Sequence, residues 1–270
     1  PSLDAVRRAL LNPGVDDERL NAALASARDN QPPPVLWLLG KAQSGKTSII
    51  RALTGSTRGE IGNGFQACTR TASFYDFPEQ APVVRFLDTR GLGEVAYDAD
   101  EDLAFCECQS HLVMAVMKVA DPDQEAVLET LKTVRRRHPE WPVVIVHTTL
   151  HELYPPGADH VEPWPFDGMS LPDDVPEDLR RVLAMRDQLE KTLPGRAPVV
   201  SVAVDLTLEE DGFAIPDYGL EGLWQAIEET ATFELRSRLQ QDPALRDVFS
   251  RAAHPQITGY SLAAAGAGSL

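Results

Sequence analysis

The run Gly40-Lys41-Ala42-Gln43-Ser44-Gly45-Lys46-Thr47 constrains this chain more than any other feature. It stands between Val35-Leu36-Trp37-Leu38-Leu39, an apolar stretch that reads as a buried strand, and Ser48-Ile49-Ile50-Arg51-Ala52-Leu53, which reads as the first turns of a helix. A strand, a glycine-bounded loop and a helix in that order make a phosphate cradle. Gly40 and Gly45 permit the tight path that turns successive N–H groups toward one point, and the helix N-terminus adds its partial positive charge. The candidate nucleotide-binding residues are Lys41, Ala42, Gln43, Ser44, Gly45, Lys46, Thr47 and Ser48. Lys46 reaches the β/γ oxygens and Thr47 offers its hydroxyl to Mg²⁺. The chain is expected to bind a nucleoside triphosphate.

At 270 residues the chain is long enough for one large domain or two small ones. Its formal net charge of -16 and pI near 4.7 argue against nucleic acid as the main partner, because phosphate backbones are met by basic surfaces. The three cysteines, Cys68, Cys106 and Cys108, are an odd and sparse set that reads as reduced thiols in a cytosolic protein. Cys106-Glu107-Cys108 has no second Cys/His pair at ligand spacing, so two thiols on a helix is the plainer reading. No run of about 18 apolar residues occurs. The stretch from Ile257 to Leu270 is nearly uncharged and rich in small residues, and the chain begins at Pro1. These ends are read as those of a piece of a longer protein whose Gly/Ala-rich continuation meets a membrane; the alternative is a loose terminus.

Three regions are expected: an N-terminal helical extension over 1–31, a core domain over 32–231, and a C-terminal helix with a Gly/Ala-rich tail over 232–270. Within the core, strands alternate with helices. Strands are expected at Val35–Leu39, at Thr71–Phe77 paired as a hairpin with Val83–Leu87, at His111–Val119, at Val143–Val146 and at Pro198–Val204. Helices are expected after Thr47, over Gln124–Arg137, over about Pro176–Leu193 and over Tyr218–Leu239. Arg135-Arg136-Arg137 suits the negative end of its helix; an anion site is the other reading. The Pro-rich stretch from Tyr154 to Pro172 is too long for a plain connector and is read as an insertion over the site or an irregular surface loop. The alternation predicts an α/β fold: a three-layer P-loop NTPase architecture, with about six mostly parallel strands, helices on both faces and flanking terminal helices.

A second motif turns binding into mechanism. Asp88-Thr89-Arg90-Gly91 follows its strand directly. An aspartate there can hold a Mg²⁺ shell, and a glycine three residues on can offer its N–H to a γ-phosphate. The stretch Gly91-Leu92-Gly93-Glu94, followed by Asp98 and Asp100-Glu101-Asp102, has the hinges and charge of a mobile loop. With the phosphate loop, this spacing resembles a small GTPase-type G domain, and more narrowly the bacterial Era-like (TrmE–Era–EngA) branch, over about residues 33–230.

The resemblance implies a Mg²⁺–GTP/GDP site and two loops ordered by the γ-phosphate. Cys68-Thr69-Arg70-Thr71 looks like the branch's threonine run, making Thr69 a Mg²⁺ ligand beside Thr47 and Asp88. The catalytic candidates are then Lys46, Thr69, Arg90 and Gly91. The base-reading motif, Asn-Lys-x-Asp in the family, departs here to His147-Thr148-Thr149-Leu150-His151-Glu152. In one register Thr148 stands for the asparagine and His151 for the aspartate; slipped by one, Thr149 leads and Glu152 is the carboxylate. Ala203 and Val204 lie where backbone N–H groups would touch the base oxygen. Leu92 occupies the place where many GTPases keep a water-orienting glutamine, and Gln43 the place of a loop asparagine that holds potassium in one relative. Arg90 is read either as a built-in arginine finger or as an ion-pair partner of an acidic neighbour. His138, His147, His151, His160 and His254 are scattered in sequence and read as structural.

The function this implies is a Mg²⁺-dependent GTP-binding switch with slow GTP hydrolysis. The alternatives are a catalytically weak nucleotide-binding interaction module and an ATP-using P-loop protein. The expected partners are GTP/GDP, a protein effector, no nucleic acid, a membrane contact after residue 250, and a second copy of the chain as a homodimer. The expected location is cytoplasmic, peripheral to the inner membrane in a longer protein.

Overall fold

Five apolar residues in a row, with no alternation of polar and apolar, demand a strand covered on both faces. In the computed structural model of the protein, which describes residues 35–54, 65–67, 72–77, 84–89, 110–162, 164–166, 171–208 and 211–230, β1 (Val35–Leu39) is that strand. Val35, Trp37 and Leu39 enter one core and Leu36 and Leu38 the other, and none is more than 3% exposed. The same division runs through β5 (Ser110–Lys118) and β6 (Val143–Thr148): Val113, Ala115, Val143 and Ile145 join the first core, and Leu112, Met114, Val144 and Val146 the second.

Helices close both faces. α1 (Lys46–Thr54) buries Ile49, Ile50 and Leu53, and α4 (Leu220–Thr230) brings Leu220, Leu223, Ala226 and Ile227 to the same core. On the opposite face α2 (Glu125–Arg137) lays Val127, Leu131 and Val134, an i, i+4, i+7 stripe, on Trp37, Ala115 and Ile145. α3 (Glu177–Glu190) contributes Leu179 to a third cluster with Val119, Leu150, Tyr154, Val175, Ala203 and Tyr218. Three layers result, as the sequence predicts.

The sheet has seven strands in the order β2-β3-β4-β1-β5-β6-β7, with β2 at Phe65–Ala67, β3 at Ala72–Phe77, β4 at Val84–Thr89 and β7 at Val199–Ala203. β4, β1, β5, β6 and β7 are mutually parallel, whereas β2 and β3 form an antiparallel edge. Six of the seven strands are those expected. β2 is the addition, three residues inside a segment read as loop, too short to show any period. A two-stranded ribbon of β8 (Asp205–Leu206) and β9 (Asp217–Tyr218) is also new. The extension 1–31 and the tail 232–270 lie outside the described residues. Among the described residues no helix is long and apolar enough to cross a membrane.

The Arg135-Arg136-Arg137 triplet divides by burial. Arg136 and Arg137 are exposed, but Arg135 is 2% exposed. Its guanidinium donates to the carbonyls of Pro194, Trp141 and Ala197, tying the loop before β7 to α2. Gly195, at φ 117°, runs so near that a Cβ would stand 2.6 Å from that guanidinium. Arg135 is thus a structural donor to three carbonyls. Arg135→Ala is expected to cost about 2–4 kcal/mol in urea unfolding, against less than about 0.5 kcal/mol for Arg136→Ala. Equal effects of the two would overturn this assignment.

Candidate functional site

Because β1, β4, β5, β6 and β7 run parallel, their carboxyl ends open on one edge of the sheet, and that edge collects the site. The loop after β1 passes so close to β5 that a Cβ at Gly40 would stand 2.4 Å from Val116 O and 2.7 Å from Ser44 Oγ. Gly45 adopts φ 98° and Gln43 φ 60°. The first needs glycine, and the second is strain of the kind that ligand-gripping loops carry. Ile49 N–H donates to Gly45 O at 2.9 Å and opens α1. Lys46 is buried, and its Nζ donates to Gly40 O and Lys41 O, each at 2.9 Å. The loop is wound around its own ammonium group. Ala42, Gln43 and Ser48 are exposed, Thr47 is half-buried, and Ser44 is buried.

Lys41 points elsewhere. Its ammonium meets Asp121 at 2.8 Å and Asp123 at 3.5 Å, in the loop after β5. The hydrogen bond it donates to Asp121 raises its pKa above the ordinary 10.5. Arg186 of α3 pins that loop by donating to the carbonyls of Lys118, Val119 and Asp121 at 2.8, 3.2 and 2.7 Å. Neither Asp121 nor Arg186 stands in a motif, so sequence reading passed over both.

Asp88 lies within β4 near its end, in register with Leu38 on one side and Ser73 on the other. Its Oδ1 is buried and has no hydrogen-bond partner among the described residues. Burial pushes the Asp88 carboxyl up to about 6, against the opposing pull of Lys46. An orphaned carboxylate oxygen at the end of β4 and a hydroxyl from Thr47 at the start of α1 are donors that fit a hard divalent cation. Thr69, Arg90, Gly91 and Leu92 lie outside the described residues.

The end of β6 is fastened to the phosphate loop. Thr148, buried, donates its hydroxyl to Ser44 O at 2.8 Å, and its side chain is the nearest neighbour a Cβ at Gly45 would meet. Thr149 takes the left-handed conformation at φ 59° and begins a 3₁₀ turn over Leu150–Leu153. That turn carries His151 onto Asp205, whose Oδ2 accepts the His151 backbone N–H at 2.6 Å and whose Oδ1 lies 2.7 Å from Nδ1. Glu152 faces solvent and pairs with Lys118 at 3.4 Å. At the end of β7, Ala203 O accepts from Trp164 Nε1 at 3.1 Å and Val204 N–H donates to His147 O at 2.8 Å. The Val204 N–H is therefore already spent within the sheet, a departure from the expectation that it faces a base oxygen.

The four scattered histidines among the described residues are partnered, and His254 lies outside them. His147 Nε2 is 2.8 Å from Glu190 Oε1, His138 stacks on Trp141, and His151 and His160 share Asp205. Residues 154–166 are anchored rather than loose: Tyr154, His160, Trp164 and Phe166 pack into the third cluster with Phe213 and Tyr218. Asp205, Phe213 and Tyr218 carry no local signal of this role. Only the fold brings β7, the turn at 150–153 and the β8–β9 ribbon together.

The hydrogen bond from Asp205 raises the His151 pKa above its ordinary 6.5, against burial. A raised histidine adds stability fully below that ordinary value, and the addition is lost as pH rises through the folded value. The stability advantage of the wild type over His151→Gln is expected to be largest below pH 6.5 and to shrink above it. Parallel urea-unfolding profiles of the two proteins from pH 5 to 8 would overturn this account.

With the geometry in view, the comparisons with known proteins can be placed. Residues 35–149 match the family model described as 50S ribosome-binding GTPase, which is less than half of the chain. No curated protein sequence matches the chain. Among solved structures, a variant of SsGBP is similar at 17% identity over 83% of this chain and 66% of that one, with a TM-score of 0.45. The chain thus spans just under two thirds of that protein. The G domain of the T. maritima FeoB iron transporter gives 19% identity over 74% of this chain and 100% of that one, with a TM-score of 0.43. The small COPII coat GTPase SAR1 of Encephalitozoon cuniculi, in complex with GDP, gives 13% identity over 82% and 96%, with a TM-score of 0.48. The sheet and the phosphate loop give the chain the α/β fold of P-loop NTPases, and residues 35–149 are similar to a GTPase family model.

Proposed function

We propose that the chain is a Mg²⁺-dependent GTP-binding switch, of the Era-like branch, that hydrolyses GTP slowly. The observation that carries the reading is the loop wound around Lys46, a cradle of amides at the N-terminus of α1 with one buried ammonium at its centre. On this reading Lys46 leaves its carbonyl partners for the β/γ oxygens, and the loop N–H groups hold the β-phosphate. Thr47 and Asp88, with Thr69 from the segment before β3, would hold Mg²⁺. When bound, Mg²⁺ would neutralise charge on the terminal phosphates. On this reading Gly91 would offer its N–H to the γ-phosphate, and Arg90 would meet the charge that develops there. Leu92 has no group to orient a water, which favours slow turnover. The loops at 56–70 and 90–102 would present the switch surface to a protein effector. We also propose that the region after residue 250 meets a membrane and that the domain works as a homodimer.

Equilibrium titration with GTP and GDP tests this. Lys46→Ala is expected to weaken binding about 100-fold, which is about 2.7 kcal/mol. Lys41→Ala, whose ammonium is held by Asp121, should change it less than about threefold. Chelation of Mg²⁺ with EDTA should weaken GTP binding at least about tenfold in the wild type and leave Asp88→Asn unchanged. Wild-type affinity in Lys46→Ala would remove the proposal.

A further inference from the structure

Asp205 is a fully buried carboxylate beyond the end of β7, and three donors converge on it. His151 supplies its backbone N–H at 2.6 Å and Nδ1 at 2.7 Å, and His160 supplies Nε2 at 2.9 Å. His160 is clamped between Tyr218, stacked at 4.1 Å and 7°, and Phe213, at 4.4 Å and 30°, with Tyr154 edge-on at 5.5 Å. The clamp fixes His160, His160 helps to fix Asp205, and Asp205 fixes the His151 ring. That ring is 23% exposed. With Nδ1 committed, Nε2 is the one nitrogen it can present to a ligand, and it has no partner among the described residues. The turn that carries His151 begins one residue after Thr148, whose hydroxyl grips the phosphate loop.

Among the described residues, the carboxylates near His151 each have a partner. Asp205 has no exposure, Glu152 pairs with Lys118, and Asp211 accepts the Leu208 N–H at 2.7 Å. Each is tied through at least one oxygen to another group. Guanine presents two adjacent donors, N1–H and the 2-amino group, and a carboxylate satisfies both at once. A single imidazole nitrogen accepts one bond when neutral and none when protonated. Adenine presents an acceptor at N1, which an imidazolium N–H can meet. A site built around paired hydrogen bonds rejects the wrong partner by about 10⁴–10⁵, whereas a site that reads shape discriminates by about 10² or less.

Resting on the nucleotide-site reading above, we propose that His151 is the residue facing the base and that Asp205 and His160 are its positioning residues. The site thereby gives up the selection for guanine that a carboxylate would impose. The chain takes purine nucleoside triphosphates as a class, GTP and ATP alike.

The experiment is isothermal titration of the full chain with Mg²⁺ and, in turn, GTP, ITP and ATP. ITP is GTP without the 2-amino group. The expected result is dissociation constants for GTP and ATP within about tenfold of each other, and for GTP and ITP within about threefold. A preference for GTP over ATP of about 10³ or more, or a tenfold loss from GTP to ITP, overturns this inference and leaves the nucleotide site standing. Binding of none of the three overturns both. The double variant His151→Asp/Asp205→Asn places a carboxylate at the tip without a second charge beneath it, and should raise the GTP-to-ATP ratio at least about tenfold. An unchanged ratio in a folded double variant counts against the inference. The ITP comparison needs no variant and decides the matter if the double variant does not fold. A purely structural role for the three residues would alter all affinities together and leave these ratios where they were.

Discussion

The backbone of the phosphate loop lies hard against that of β5. Gly40 lies where any side chain would strike Val116 O, and the loop can wind around Lys46 only because it starts from that contact. A loop this tight needs a floor that does not move. The floor is supplied by Val35–Leu39 of β1 and Leu112–Met117 of β5, buried on both faces of the sheet and divided between two cores by simple alternation. The apolar run before the loop and the glycine at its start are therefore two parts of one requirement.

Around that floor, the ends of β5 and β6 each send one polar tie. β6 contributes the Thr148 hydroxyl to Ser44 O, and the loop after β5 contributes Asp121 to Lys41. Arg186 then holds the loop after β5 by three carbonyls. These ties use neutral donors or a half-buried ion pair, so each is modest alone. Their effect lies in arrangement: the cradle is tied to the loop after β5 and to the end of β6, in addition to its own bonds around Lys46.

The fold was legible because its signals are periodic or compositional. Runs such as Val143–Val146 and the Val127, Leu131, Val134 stripe declare their elements without outside help. The phosphate loop was legible because its chemistry needs fixed spacing within eight residues. Asp88 was placed correctly at a strand end, though the strand extends through it to Thr89. What escaped notice depends on contacts distant in sequence. The Asp205 cluster joins residues 54 and 45 positions apart, and Arg135 reaches carbonyls about 60 positions away. No local pattern marks an arginine that will be buried or an aspartate that will gather two histidines. The short strand at Phe65–Ala67 was missed for another reason: three residues cannot show a period of two.

Trp164 illustrates how such distant contacts constrain the chain as a whole. Its indole lies where a Cβ at Gly219 would come within 2.6 Å of the ring nitrogen and a Cβ at Gly222 within 2.6 Å of the ring carbons. The two glycines are one turn apart at the start of α4 and form a keyway for the ring. Drift at any one of the three sites is therefore not independent of the other two. Enlarging Gly222 requires a smaller residue in place of the indole, which would also strip Ala203 O of its donor, while Gly219 is held in addition by Ala203 O, 2.4 Å from where its Cβ would stand. The tryptophan and the two glycines behave as a single inherited unit.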